Sequence, residues 1–148
     1  MIYLLYGQPA SGKTSLGNKL KTHFHTPFII DGDEFREMFT NKNYGKEGRE
    51  ENLRNANAVA TYLNKMKISS GDGYFPIIMT LVSPYNHLRD ELKRNNEGEV
   101  RDVLLTSTRE LRKEYHVEDF EKGSPAFELN TDKEVEETWK ELKLLLGI

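Results

Sequence analysis

The chain has 148 residues, 30% of them charged, with 21 basic side chains against 24 acidic ones and a formal net charge of −3. That is one domain's length, enough to bury a core, so residues 1–148 read as a single domain. The small acidic excess speaks against a nonspecific nucleic-acid binder. The lack of cysteine excludes disulfides, thiolate zinc sites and cysteine nucleophiles, and no apolar run approaches the roughly 20 residues of a membrane span.

Ile2-Tyr3-Leu4-Leu5-Tyr6 is a short apolar run of strand-forming residues that begins at once, so no targeting peptide is expected and a cytoplasmic setting is. Gly7-Gln8-Pro9-Ala10-Ser11-Gly12-Lys13-Thr14 follows and satisfies G-x-x-x-x-G-K-[ST]. Leu16, Leu20 and Phe24 then recur at helical spacing. Strand, glycine loop and helix therefore come in the order a phosphate-binding loop requires. In such a loop the glycines leave room for a phosphate, and backbone N–H groups face it with the positive end of the helix dipole. Lys13 would place an ammonium between the β- and γ-phosphates of ATP, and the Thr14 hydroxyl is a ligand for Mg²⁺. Residues Gly7 to Ser15 are thus the expected nucleotide-binding set.

Phe28-Ile29-Ile30-Asp31 reads as a second buried strand ending on a carboxylate, and Gly32-Asp33 opens a short helix with Asp33 as its cap. In open α/β sheets ligands bind at the carboxyl ends of the strands, which puts Asp31 and Asp33 on the rim of the phosphate loop. Asp31 is a candidate for the Mg²⁺ shell and Asp33 for taking the proton of an attacking hydroxyl. Residues 40–48 are polar and glycine-bearing, hence a loop. A long helix is expected from Arg49, carrying Leu53, Ala56, Ala60 and Leu63.

Ser69-Ser70-Gly71-Asp72-Gly73 breaks that helix, and residues 74–82 form an apolar run suited to a strand covered on both faces. Ser83-Pro84 predicts an N-cap and first turn of a helix through Leu88 and Leu92. Val100 to Leu105 gives a further strand. Ser107-x-x-Glu110 predicts a capped helix carrying Arg109, Arg112 and Lys113, and residues 116–125 read as loop. Phe127-Glu128-Leu129 is a last strand, and Thr131-x-x-Glu134 caps a final helix with Val135, Trp139, Leu142 and Leu146 inward. Alternating strands and helices predict an α/β three-layer sandwich with about five parallel strands and helices on both faces. His23, His25, His87 and His116 share no spacing that suggests a metal site. The apolar helix stripes leave a homodimer open.

Several segments together resemble the adenylylsulfate kinases. They are the phosphate loop, Asp31-Gly32-Asp33 with Arg36, Arg49-Glu50-Glu51-Asn52-Leu53-Arg54, and Val82-Ser83-Pro84-Tyr85 with Arg89-Asp90, in family order over roughly residues 1–95. The resemblance implies transfer of the ATP γ-phosphate, with Mg²⁺, to the 3′-hydroxyl of adenylylsulfate, a step of sulfate activation. It assigns Asp33, Arg36, Arg49 and Asn52, with Asp31 at the same rim, to the acceptor nucleotide. Ser83 falls where the family carries a phosphoserine candidate, beside its expected cap role. Guanidinium groups suit an acceptor bearing phosphate or sulfate oxygens.

The chain departs from the family in two places. Lys46 stands where the family's adenine-clamping aromatic is expected, and the C-terminal third lacks the family's lid segments. Arg109, Arg112 and Lys113 are the expected sources of lid charge, and Phe120 the expected replacement clamp. Another nucleotide-linked or sugar hydroxyl as acceptor, and a nucleotide-binding module without catalysis, stay open on sequence grounds.

Overall fold

The structure is a computed structural model and describes residues 1–110 and 112–148. Strands β1 (Ile2–Tyr6), β2 (Ile29–Asp31), β3 (Ile77–Leu81), β4 (Val100–Thr106) and β5 (Phe127–Asn130) lie in one sheet of order β2-β3-β1-β4-β5, every pair parallel. Helices α1 (Lys13–Phe24), α2 (Gly32–Met38), α3 (Lys46–Met66), α4 (Asn86–Asn95) and α5 (Val135–Leu146) connect and cover it.

Strand periodicity divides the core into two layers. Ile2, Leu4 and Tyr6 of β1 and Ile77, Met79 and Leu81 of β3 pack with Leu53, Ala56 and Ala60 of α3 and Leu88 and Leu92 of α4. Tyr3, Leu5 and Ile78 point the other way, onto Leu16 and Leu20 of α1 and Leu142 of α5. Because both faces are covered, the strands are nearly continuous apolar runs. The expected three-layer α/β architecture is the one found. β1 is central, and the chain leaves it first toward β2 and later crosses to β4, so the crevice beyond the carboxyl end of β1 is the switch point of the sheet.

Four local expectations are corrected. Asp31, not Asp33, caps α2: its Oδ1 accepts from the Asp33 N–H at 3.2 Å. Ser83 does not cap α4, which begins at Asn86; Ser83 sits at φ 42, and its carbonyl accepts from the buried Arg89. The Ser107 capping box starts no α-helix in the described residues around it; the Ser107 hydroxyl instead donates to Asp132 at 2.7 Å, and only a short 3₁₀ turn forms at Lys113–Tyr115. Thr131 does not cap α5, whose cap residue is Glu134; its hydroxyl reaches back to the phosphate loop, donating to Ser11 O at 2.8 Å. For Ser107 and Thr131 a long-range partner takes the hydroxyl that a local cap would have used. Helix α3 also begins at Lys46, before the expected Arg49, and β3 covers only the middle of the run 74–82. No helix among the described residues is long and apolar enough to cross a membrane.

Candidate active site

Gly7 leaves β1 where a Cβ would lie 2.5 Å from Leu105 O, and Gly12 turns into α1 at φ 92, so neither position admits a side chain without strain. Ala10 adopts φ 65, a left-handed conformation that costs a non-glycine residue energy and bends the loop around the phosphate position. Lys13 folds over the loop, donating to Gln8 O at 2.8 Å and Gly7 O at 3.1 Å. Burial pushes its pKa down to about 8, against the pull of Asp31 and Asp33, while Arg112 adds to the depression.

Asp31, at the end of β2, accepts through Oδ2 from Thr14 Oγ1 at 3.0 Å and from Thr80 Oγ1 at 2.9 Å. The hydroxyl of Thr14 and the carboxylate of Asp31 therefore converge at the N-terminus of α1. They are hard oxygen donors, few in number, a set that fits a Mg²⁺ ion which keeps most of its water. Thr80 belongs to no sequence motif. Its signal was a polar residue near the carboxyl end of an otherwise apolar strand.

A cavity of about 940 Å³ opens beside Pro9 of the loop. Asp33, Arg36, Arg49, Asn52, Ser83 and Arg112 all line it, so six expected site residues from four separate segments come together. Asp33 is exposed, with Arg112 at 3.9 Å. Asn52 is buried, and its Oδ1 has no hydrogen-bond partner among the described residues. A hydrogen-bond donor on a ligand in the cavity would satisfy it.

Two exposed aromatic rings line the cavity, whereas Lys46 and Phe120 do not. Tyr44 is exposed on the cavity wall, with the Arg36 guanidinium 4.5 Å from its ring centroid while Arg36 Nη1 donates to Asn43 O at 2.8 Å. Tyr115 is exposed on the segment after β4, under Arg112 at 5.5 Å. Lys46 lies over Tyr85 at 5.7 Å rather than on the wall. Phe120 is no clamp either: it stacks on Tyr6 with ring centroids 6.2 Å apart and packs on the core. An aromatic within a polar loop was the available signal for Tyr44.

Arg109 is not brought to this cavity. It lies across the phosphate loop in a smaller cavity of about 160 Å³ with Gly12, Ser15, Leu16 and Thr131. Its guanidinium donates to Thr131 Oγ1 at 3.1 Å and to Thr131 O. The wall is stitched by Asp132, which accepts from Ser107 Oγ, Thr108 N and Thr108 Oγ1; those bonds hold its carboxyl down at about 2. Pro9 lines the larger cavity and Gly12 and Ser15 the smaller, so the two lie against different parts of the phosphate loop.

The family model for adenylylsulphate kinase matches residues 1–122. A curated relative, cytidine diphosphoramidate kinase of Campylobacter jejuni, is 31% identical over 93 residues, 60% of this chain and 51% of that protein. The chain thus spans about half the length of that relative. Among solved structures, the Mycobacterium tuberculosis APS kinase in complex with AMPPNP and APS aligns with a TM-score of 0.79 at 18% identity, covering 99% of this chain and 97% of that one. Shikimate kinase from Aquifex aeolicus aligns at 0.62 and 18% identity, over 99% and 96% of the two chains. These structural likenesses establish the P-loop kinase fold, and with the family model they show that the chain belongs to the adenylylsulphate kinase family.

Proposed function

We propose that the chain transfers the γ-phosphate of ATP to the 3′-hydroxyl of adenylylsulfate. One observation carries this reading: a cavity continuous with the phosphate loop presents three guanidinium groups, from Arg36, Arg49 and Arg112, together with the Asp33 carboxylate. Three fixed cations favour an acceptor carrying anionic oxygens, and the carboxylate supplies a base for its hydroxyl.

The steps follow from the placement. Backbone N–H groups at the loop's turn into α1 (residues 12–14) and the Lys13 ammonium bind and orient the phosphates, and Lys13 stabilises the charge that spreads over the moving phosphoryl group. Thr14 and Asp31 would hold Mg²⁺, which supplies further charge neutralisation at the β- and γ-phosphates. Arg109, hydrogen-bonded to Thr131, would lie against the donor base. Tyr44 offers the acceptor base a ring, and Asn52 offers it or the adjoining sugar an unpaired acceptor. Asp33 accepts the hydroxyl proton as the oxygen attacks the γ-phosphorus in line and the bond to the bridging oxygen breaks, releasing ADP. Direct transfer leaves Ser83 as buried cavity wall with no covalent step. ATP as donor fits the expected cytoplasmic setting.

A second acceptor is favoured by the relative acting on cytidine diphosphoramidate and by the rebuilt base loop around Tyr44. Both molecules are nucleotides with a short polar group on the 5′-phosphate, which suits the same arginine-lined cavity. The test incubates the protein with Mg-ATP and each acceptor in turn and identifies products by mass. Phosphorylated adenylylsulfate supports the first reading, and phosphorylated cytidine diphosphoramidate alone replaces it with the second. Neither product would refute both.

A further inference from the structure

Gln8 belongs to the phosphate loop, yet its side chain turns away from the phosphate position. Val117 N–H donates to Gln8 Oε1 at 2.8 Å, and Gln8 Nε2 donates to Val117 O at 2.8 Å. The carboxamide thus pairs with a peptide group in both directions, across 109 residues of sequence. Beside it, His116 Nε2 lies 3.2 Å from Pro9 O. His116 and Val117 both line the larger cavity, on the wall that the proposed acceptor would touch.

The segment that follows is pinned at several more points. Tyr6 Oη donates to Lys122 O, and Glu121 N–H donates to Pro84 O at 2.8 Å. The buried Arg89 lies under the Tyr6 ring at 4.3 Å and donates to both Glu121 O and Ser83 O. These bonds hold residues 120–122 to the sheet end and to the turn before α4. Among the described residues, Gln8 and Pro9 are the ones that tie the cavity-lining pair 116–117 to the phosphate loop itself. Val117 is 5% exposed, so its peptide groups would lose partners in a dry place if the carboxamide were removed.

The geometry points to Gln8 as a positioning residue: it fixes the His116–Val117 wall of the acceptor cavity to the loop that holds the phosphoryl donor, setting the two reactants in register. The inference rests on the kinase reading of that cavity. Gln8 touches neither reacting atom, so its effect passes through Val117. Small errors in the relative placement of donor and acceptor cost rate steeply, which is why such a tie matters.

The test compares Gln8→Met, which keeps the volume and removes both hydrogen bonds, with Gln8→Ala. Amide hydrogen exchange at Val117 is read in the nucleotide-free protein. Michaelis constants are then measured for ATP and for whichever of adenylylsulfate and cytidine diphosphoramidate the parent turns over. We expect the Val117 amide to exchange about tenfold faster while β1 and β3 amides keep their protection. The acceptor constant should rise about tenfold, the scale of one or two neutral hydrogen bonds, with the ATP constant little changed. Unchanged exchange at Val117, or equal rises in both Michaelis constants, would overturn the assignment. So would a lowered melting temperature with no separation between the two substrates. If the parent turns over neither acceptor the kinase reading fails, while the exchange comparison still decides whether Gln8 holds the wall.

Discussion

The two sides of the site are made by different means. The donor side is local: eight consecutive residues, 7–14, turn between β1 and α1, and Lys13 finds its partners at Gly7, Gln8 and Ser11 within the same loop. The acceptor side is assembled from residues 33–52, 81–84 and 112–117, which combine the first turns of α2 and α3 with the irregular segments between and beyond them and are held by bonds that cross the chain. Phosphoryl donation depends on backbone geometry that a short motif can specify. On the proposed reading, acceptor choice depends on helix starts and on the loops beside them, which can be rebuilt without disturbing the sheet.

Substitutions at the groups proposed to act on the transferred phosphoryl group and the attacking hydroxyl should do most damage. Asp33→Asn should lower kcat by about 10²–10⁴-fold, the usual loss on removing a general base, with the acceptor KM little changed. A pure KM effect in steady-state kinetics would make Asp33 a binding residue instead. Lys13→Met should lower turnover by on the order of 10²–10³-fold. It also removes an ammonium that burial disfavours, so its melting temperature should match or exceed that of the parent. A large loss of stability would show that Lys13 serves the fold more than the phosphate.

Tyr44→Ala confines the damage to the acceptor side. Loss of a stacked base costs about 1–3 kcal/mol, roughly five- to 150-fold in acceptor affinity, with ATP affinity unchanged in parallel titrations. The smallest effect belongs to the donor side and to pH. With a pKa of about 8, Lys13 is charged below that pH in the free protein and neutral above it. ATP needs the charged form, so its affinity should be flat below about 8 and weaken by up to about tenfold per pH unit above it. The same shift makes this group's contribution to stability rise between about 8 and 10.5, because there the unfolded chain holds the proton that the folded chain has released. Calorimetric ATP titrations from pH 7 to 9.5 check the first of these, and an affinity flat across that range would leave the lysine's depressed pKa without consequence.

What could be read from the sequence follows the same division. β1, the glycine loop and α1 were legible because period, glycine positions and lysine all point to one local structure. Asp31 and Asp33 were legible as a pair at a strand end, although their cap roles were exchanged, since both sit within one turn of the same helix start. The segment after β4 was not legible. Ser107 and Thr131 each open a capping-box pattern, but Asp132 and Ser11 O claim their hydroxyls from 25 and 120 residues away. Phe120 was a reasonable clamp by type, yet Tyr6 provides it a ring in the core. Tyr44 and Arg109 went the opposite way, the first into the acceptor wall and the second out of it. Only packing at long range decides such placements.

The most direct test of a donor loop facing an acceptor cavity is ADP release from Mg-ATP, measured with and without adenylylsulfate or cytidine diphosphoramidate. The account predicts slow release with ATP alone and a large, saturable increase with one of the two, abolished in Lys13→Met. ATP binding with no acceptor-dependent release from either would contradict it.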